Sequence, residues 1–226
     1  MSALFAQAPN PIVRWEYFID EWDQIQGALI EHLELTVYAV GLGLVVSAGL
    51  SAIALRFRWT LAPINGFTAF LYTIPSVALF GILVPYFGLS RLSAVLPLAA
   101  YTLLILVTNI VAGFNAVSPE VREAADSMGM TPTRKVLQVE LPLAMPYIIA
   151  GLRVAVVSTV GIVTVAAIIG QGGLGRLILD GLRRAFWTPM TIGAALSILL
   201  AVALDGLILG VGRWLTPWAQ RARRAP

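Results

Sequence analysis

Residues 118–145 read SPEVREAADSMGMTPTRKVLQVELPLAM. Ser118-Pro119-Glu120 is a helix start: a capping residue, a proline at the first helical position, and an acid beside the positive end of the dipole. Glu120 to Met128 suits a short helix, and Gly129 stops it by entering the left-handed conformation. Thr131-Pro132 starts a second short helix, which Leu141-Pro142 ends or bends. The pattern is two short helices joined at a glycine. A polar loop of this length inside a small apolar chain needs a reason. Docking onto a cytoplasmic partner supplies one.

On either side the chain is apolar. Leu35–Leu55, Trp59–Ser90, Leu92–Pro119, Val154–Gly175 and Ala185–Leu204 carry no charge. A helix needs about 20 apolar residues to cross ~30 Å of hydrocarbon. The runs are continuous rather than alternating, which favours helices over a barrel. The expected fold is all-α and polytopic, with five transmembrane helices near 34–56, 63–86, 92–115, 147–170 and 190–213. The loop lies between the third and fourth.

Composition agrees. Of 226 residues, 58% are hydrophobic and 12% charged, against roughly 25% charged in an average soluble domain. Mean hydropathy is +0.85. The net charge of +3 comes without a basic stripe interleaved with aromatics, so nucleic acid is not an expected partner. With no cysteine and a single histidine, His32, disulfides, thiolate nucleophiles and Cys-based zinc sites are excluded. No metal site or catalytic residue is expected. No P-loop motif is present.

Lys and Arg near the span ends set the orientation. Arg56, Arg58, Arg122, Arg134, Lys135, Arg213, Arg221, Arg223 and Arg224 gather on one side; Arg14, Arg91, Arg176, Arg183 and Arg184 lie on the other. The richer side is expected to be cytoplasmic, with the N-terminus outside and residues 214–226 a basic cytoplasmic tail. Residues 1–33 form an outer segment without signal-peptide character. Within it Ile12, Trp15, Phe18, Trp22, Ile25 and Leu29 recur every three or four residues between acids. This suits an amphipathic helix in the membrane–water interface, as a packing and orienting element.

Glu123-Ala124-Ala125, then Gly129, Val139 and Leu141-Pro142 at fixed spacing, resembles the EAA loop of ABC-importer permeases, with Val139 where the family has Ile. The resemblance implies a type I importer permease (MetI-like) fold and a coupling loop, residues 118–145, that forms a coupling helix fitting a groove on the ATPase subunit. It implies that Glu123 could pair with a base there, that Ala124 and Ala125 permit close helix approach, and that Gly129 gives the turn. Thr73-Ile74-Pro75-Ser76, Ala78-Leu79-Phe80-Gly81, Pro85-Tyr86-Phe87-Gly88 and Ile169–Gly175 are similar to the osmoprotectant importers of the glycine betaine, carnitine and choline type. The glycine-rich part is shared with methionine importers, the nearest alternative. The implied partners are a second permease subunit, identical or related, two ATPase subunits carrying Mg-ATP, and a separate extracytoplasmic binding protein, in a bacterial inner membrane. This chain itself would carry no cofactor and make or break no covalent bond. A secondary transporter or channel would more commonly show an internal repeat and buried ionisable relays.

Gly170, Gly172 and Gly175 match a dinucleotide fingerprint formally, but they follow an apolar span rather than a strand. With Gly173 they are read as a tight turn and part of an outer gate. Arg153 and Asp205 are charges within spans, at similar depth, and are expected to pair or share a polar cluster between spans four and five. The alternative partner for Arg153 is the coupling loop, for instance Glu140. Tyr72, Ser76, Asn109 and Thr159 are candidates to face a translocation path, with Pro75 and Pro97 kinking their spans. Ala39, Gly43, Ser47 and Ser51, and Gly206 with Gly210, are small-residue faces expected to pack within the subunit.

Overall fold

The computed structural model describes residues 14–218, and helices account for all regular structure among them. Ile12, the first ten residues and Arg221, Arg223 and Arg224 lie outside the described residues.

After a short α1 (Trp15–Asp20), α2 runs from Trp22 to Arg56 without a break. Its 35 residues span ~52 Å at 1.5 Å per residue, well beyond the hydrocarbon thickness. The half of the amphipathic stretch from Trp22 onward is therefore continuous with the first span, while Trp15 and Phe18 lie on the short α1. Part of the stretch's apolar side packs on protein: Ile25 and Ala28 are buried with Leu174, Leu177 and Ile192, and Phe18 and Leu29 pack against them, while Trp15 and Trp22 are exposed. Lower down, Ala39, Gly43, Ser47 and Ser51 are all buried, so this small-residue face packs within the chain. A Cβ on Gly43 would lie 1.8 Å from Thr102 Oγ1, so only glycine allows this approach to the helix carrying Thr102. Gly206 and Gly210 differ: neither has an atom within 4 Å of where a Cβ would stand.

The second span is broken. α3 (Leu61–Thr73) and α4 (Ser76–Phe87) meet at Ile74-Pro75, and the stretches Arg58–Thr73 and Ser76–Phe87 are bent by 93°. Ile74 is extended because proline disfavours the helical region for the residue before it. The kink expected at Pro75 is thus a full corner. Four helices are long and apolar enough to cross a membrane, and the bent pair makes a fifth span if counted as one. The freed carbonyl of Ile74 accepts a hydrogen bond from the Tyr101 hydroxyl, since an orphan carbonyl in hydrocarbon would cost several kcal/mol.

α5 (Arg91–Asn115) is the buried centre and runs unbroken through Pro97. It meets α2, α3, α4 and the fourth span. Leu98, Leu106 and Val107 are fully buried on it.

The two short loop helices are α6 (Pro119–Ser127) and α7 (Pro132–Lys135). The sequence reading ends or bends the second at Leu141-Pro142. Instead α7 passes through a π turn, Val136–Glu140, into α8 (Leu141–Val163), and helix is continuous from Pro132 to Ile169. Pro142 has no N–H to bond the carbonyl of Gln138, and the wider π turn just before it absorbs that missing bond. α8 tightens into a 3-10 stretch, Thr164–Ile169, ending at left-handed Gly170. α9 (Leu174–Arg183) and α10 (Trp187–Leu215) complete the bundle.

Candidate coupling site

The loop's geometry begins at its caps. Ser118 is extended and Pro119 opens α6. The Ser118 hydroxyl, then the amide of Glu120 itself, hold the Glu120 carboxyl below its ordinary range. At the other end the amide of Gly129 donates to Asp126 O (2.9 Å) and that of Met130 to Ala125 O (3.2 Å). These are the paired bonds of a Schellman motif, and Gly129 at φ +70° occupies its left-handed position. The Thr131 side chain then caps α7, accepting from the Arg134 amide.

Two ion pairs hold this hairpin in place. Lys135 Nζ lies 2.6 and 2.9 Å from the Asp126 carboxylate oxygens, closing α7 onto α6. Arg122 Nη2 donates to Phe114 O (2.6 Å), the last turn of α5, and Arg122 Nε lies 3.4 Å from Glu140 Oε1 in the π turn. Glu140 is buried. It therefore belongs to the loop's anchor on Arg122 and is not the partner of Arg153. From the sequence, Arg122 and Lys135 count only toward orientation, and Asp126 is not singled out. The Lys135–Asp126 separation of nine residues is what two short antiparallel helices would bring together.

Of the loop residues singled out, Glu123 and Ala124 are exposed while Ala125 is turned inward and buried. Val139, Leu141 and Pro142 are half-buried along the start of the long helix. Glu123 makes no ion pair among the described residues, so a carboxylate stands on the exposed face of α6.

Arg153 and Asp205 form a bidentate pair: Nε to Oδ1 and Nη2 to Oδ2, both 2.7 Å. It joins α8 to α10, and the two side chains are 34% and 30% exposed on the bundle surface. The fork geometry satisfies both carboxylate oxygens at once.

The glycine turn lies at the far end of α8 from the loop. Gly170, Gly172 and Gly173 have positive φ, and Gly175 packs against Thr164. A Cβ on Gly173 would stand 2.4 Å from Ala28 O and 2.5 Å from His32 N, so the turn presses directly on α2. Glu31 fastens it, accepting from the Gly172 amide (3.2 Å) and pairing with Arg176. Beside it the fully buried His32 places Nε2 3.1 Å from Val160 O.

The path candidates fall in two groups. Tyr72 is exposed at the end of α3, edge-on to Tyr101 at 5.9 Å between ring centroids, with half-buried Ser76 just across the corner. Asn109 and Thr159 bond carbonyls of their own helices, Ile105 (2.8 Å) and Ala155 (2.7 Å). Thr159 is buried, and a Cβ on Gly151 would lie 2.5 Å from the Asn109 Cβ, so α5 and α8 pack closely there.

A bundle of bent and straight membrane helices with a capped helical hairpin projecting from one end defines a permease-type subunit. The chain belongs to the family described as binding-protein-dependent transport system inner membrane component, which matches residues 39–217. It is 36% identical over 206 residues to the osmoprotectant import permease protein OsmW of Salmonella typhimurium, covering 89% of this chain and 96% of that one. It is 34% identical over 188 residues to the choline transport system permease protein OpuBB of Bacillus subtilis, covering 83% and 86%. Among solved structures it is similar in fold to the inward-facing MetNI methionine ABC transporter, with a TM-score of 0.74 at 18% identity, covering 88% of this chain and 98% of that one.

Proposed function

We propose that this chain is the permease of an ABC importer for a small osmoprotectant of the glycine betaine, choline or carnitine class. The observation that carries the coupling role is the Schellman-closed hairpin, with Glu123 and Ala124 on its exposed side and Ala125 on its packed side. The substrate class rests on the relatives named for osmoprotectants and choline at 34–36% identity. The methionine transporter, at 18%, shares the fold alone.

Two such permeases, identical or related, enclose a path across the membrane. Two ATPase subunits, which bind Mg-ATP, receive α6 of each copy in a groove where Glu123 meets a basic side chain. A separate binding protein delivers substrate to the opposite face, near the glycine turn. Closure of the ATPases moves α6, and the continuous helix behind it carries that movement to the turn. The loop faces the cytoplasm and the N-terminus lies outside. The permease contributes two-state geometry biased from both ends. Tyr72 and Ser76, at the corner of the broken span, are the side chains on this chain best suited to meet the substrate.

Reconstitution tests the reading. The full complex in vesicles should hydrolyse ATP faster when its binding protein is loaded with glycine betaine, choline or carnitine. Stimulation by methionine alone would overturn the substrate class. Hydrolysis indifferent to a loaded binding protein would overturn the importer.

A further inference from the structure

A cavity of about 640 Å³ lies between α2, α5 and the start of α8, at the loop end of the bundle. Its size falls within the ~300–1,000 Å³ of small-molecule sites. Leu44, Ala48, Ile110, Phe114 and Ile148 make its apolar walls, and Val136 and Glu140 of the coupling loop close one side. Arg56 and Arg58, at the end of α2 and both exposed, also line it, with Arg122 further in. Three arginines face one glutamate, so the lining is net positive. Two polar atoms there lack a hydrogen bond: the hydroxyl of fully buried Ser51, and Arg122 Nε, whose 3.4 Å approach to Glu140 is an ion-pair contact only.

Apolar walls with a basic lining, beside the basic end of α2, call for an amphiphile with an anionic head. Water would leave the apolar walls wet, and a free phosphate would leave them unfilled. A zwitterionic lipid brings its own cation against the arginines. Basic pockets between membrane helices hold anionic headgroups for the same reason. We propose that this cavity binds one anionic phospholipid from the leaflet on the loop side, its phosphate on Arg56 and Arg58 and an acyl chain along Leu44, Ala48 and Ile110. Because the loop forms one wall, the lipid touches the same hairpin that Arg122 and Glu140 anchor.

The test is lipid retention by the full-length chain, purified in its complex and measured by native mass spectrometry with added phosphatidylglycerol or phosphatidylcholine. Wild type should retain one phosphatidylglycerol per permease in preference to phosphatidylcholine. The double variant Arg56→Gln/Arg58→Gln should bind it about 30-fold more weakly, the factor that two arginines near a headgroup supply. Ala48→Phe, which fills the apolar part and spares the charges, should lower retention of both lipids. Equal retention of the two lipids by wild type, or an unchanged preference in the double variant, would overturn the site. Displacement by millimolar inorganic phosphate would reassign it to a free anion.

Discussion

Arg153 and Asp205 illustrate how a pair of charges is tolerated in an apolar bundle. Each alone would face hydrocarbon or a neighbouring apolar surface unneutralised. Together they offer it a forked, internally satisfied unit. Arg153→Leu or Asp205→Leu should therefore lower the thermal stability of the purified complex more than the double substitution does, since a lone charge is worse than none. A double-mutant cycle on melting temperature checks this, and strictly additive losses would contradict it. Gly129 poses a different residue-scale problem. No atom lies within 4 Å of where its Cβ would be, so an alanine there meets no clash. It meets only the left-handed backbone, worth about 1–2 kcal/mol. Gly129→Ala should leave the membrane bundle folded, with unchanged helicity by circular dichroism, yet retain the ATPase less well on co-purification. An asparagine, which tolerates that conformation better, should recover part of the loss.

At the scale of elements, what the sequence discloses depends on whether the governing interaction is local. The start of α6 at Ser118-Pro119, its stop at Gly129 and the start of α7 at Thr131-Pro132 are local chemistry, and residue order suffices to place them. The course of the chain past Leu141-Pro142 is not local. The proline predicts an end or a bend, whereas the π turn at Val136–Glu140, held through Glu140 by Arg122 eighteen positions earlier, carries the helix through. α9 is hidden for another reason. It is only ten residues long and its charges interrupt the apolar run, so a search for spans passes over it. The spacing of Leu174, Leu177 and Gly181 is the signal that finds it. The depth of the corner at Ile74-Pro75 depends on a hydroxyl from Tyr101, 27 residues away. Of the candidate site, the residues of the loop were legible; the inward burial of Ala125 and the two anchoring ion pairs were not. Pro142→Ala supplies the missing N–H and should let the π turn relax toward α geometry. The loop would then rotate relative to α8, and distances between spin labels on α6 and α10 should shift while the bundle's helicity stays constant.

For the whole molecule, the native absence of cysteine makes orientation directly measurable. Thr133→Cys should react with a membrane-impermeant maleimide only after cells are opened, and Arg183→Cys in intact cells. The reverse pattern would put the loop outside and undo the proposed function. Glu123→Lys should weaken ATPase retention at least several-fold and abolish substrate-stimulated hydrolysis. The same change at Glu120, whose carboxyl is engaged by Ser118, should do less.

The uninterrupted helix from Pro132 to Ile169 has a mechanical corollary. Thirty-eight residues at ~1.5 Å each make a strut of about 57 Å, with the α6–α7 hairpin at one tip and the turn on Glu31 and Arg176 at the other. A hinge in the middle would let one tip stall while the other advanced, so that fuel could be burned without cargo crossing. Here the irregular geometry sits near the two tips, in the π turn and the 3-10 stretch, and the regular α-helix of Leu141–Val163 lies between them; under the proposed function, displacement at either tip would be felt at both.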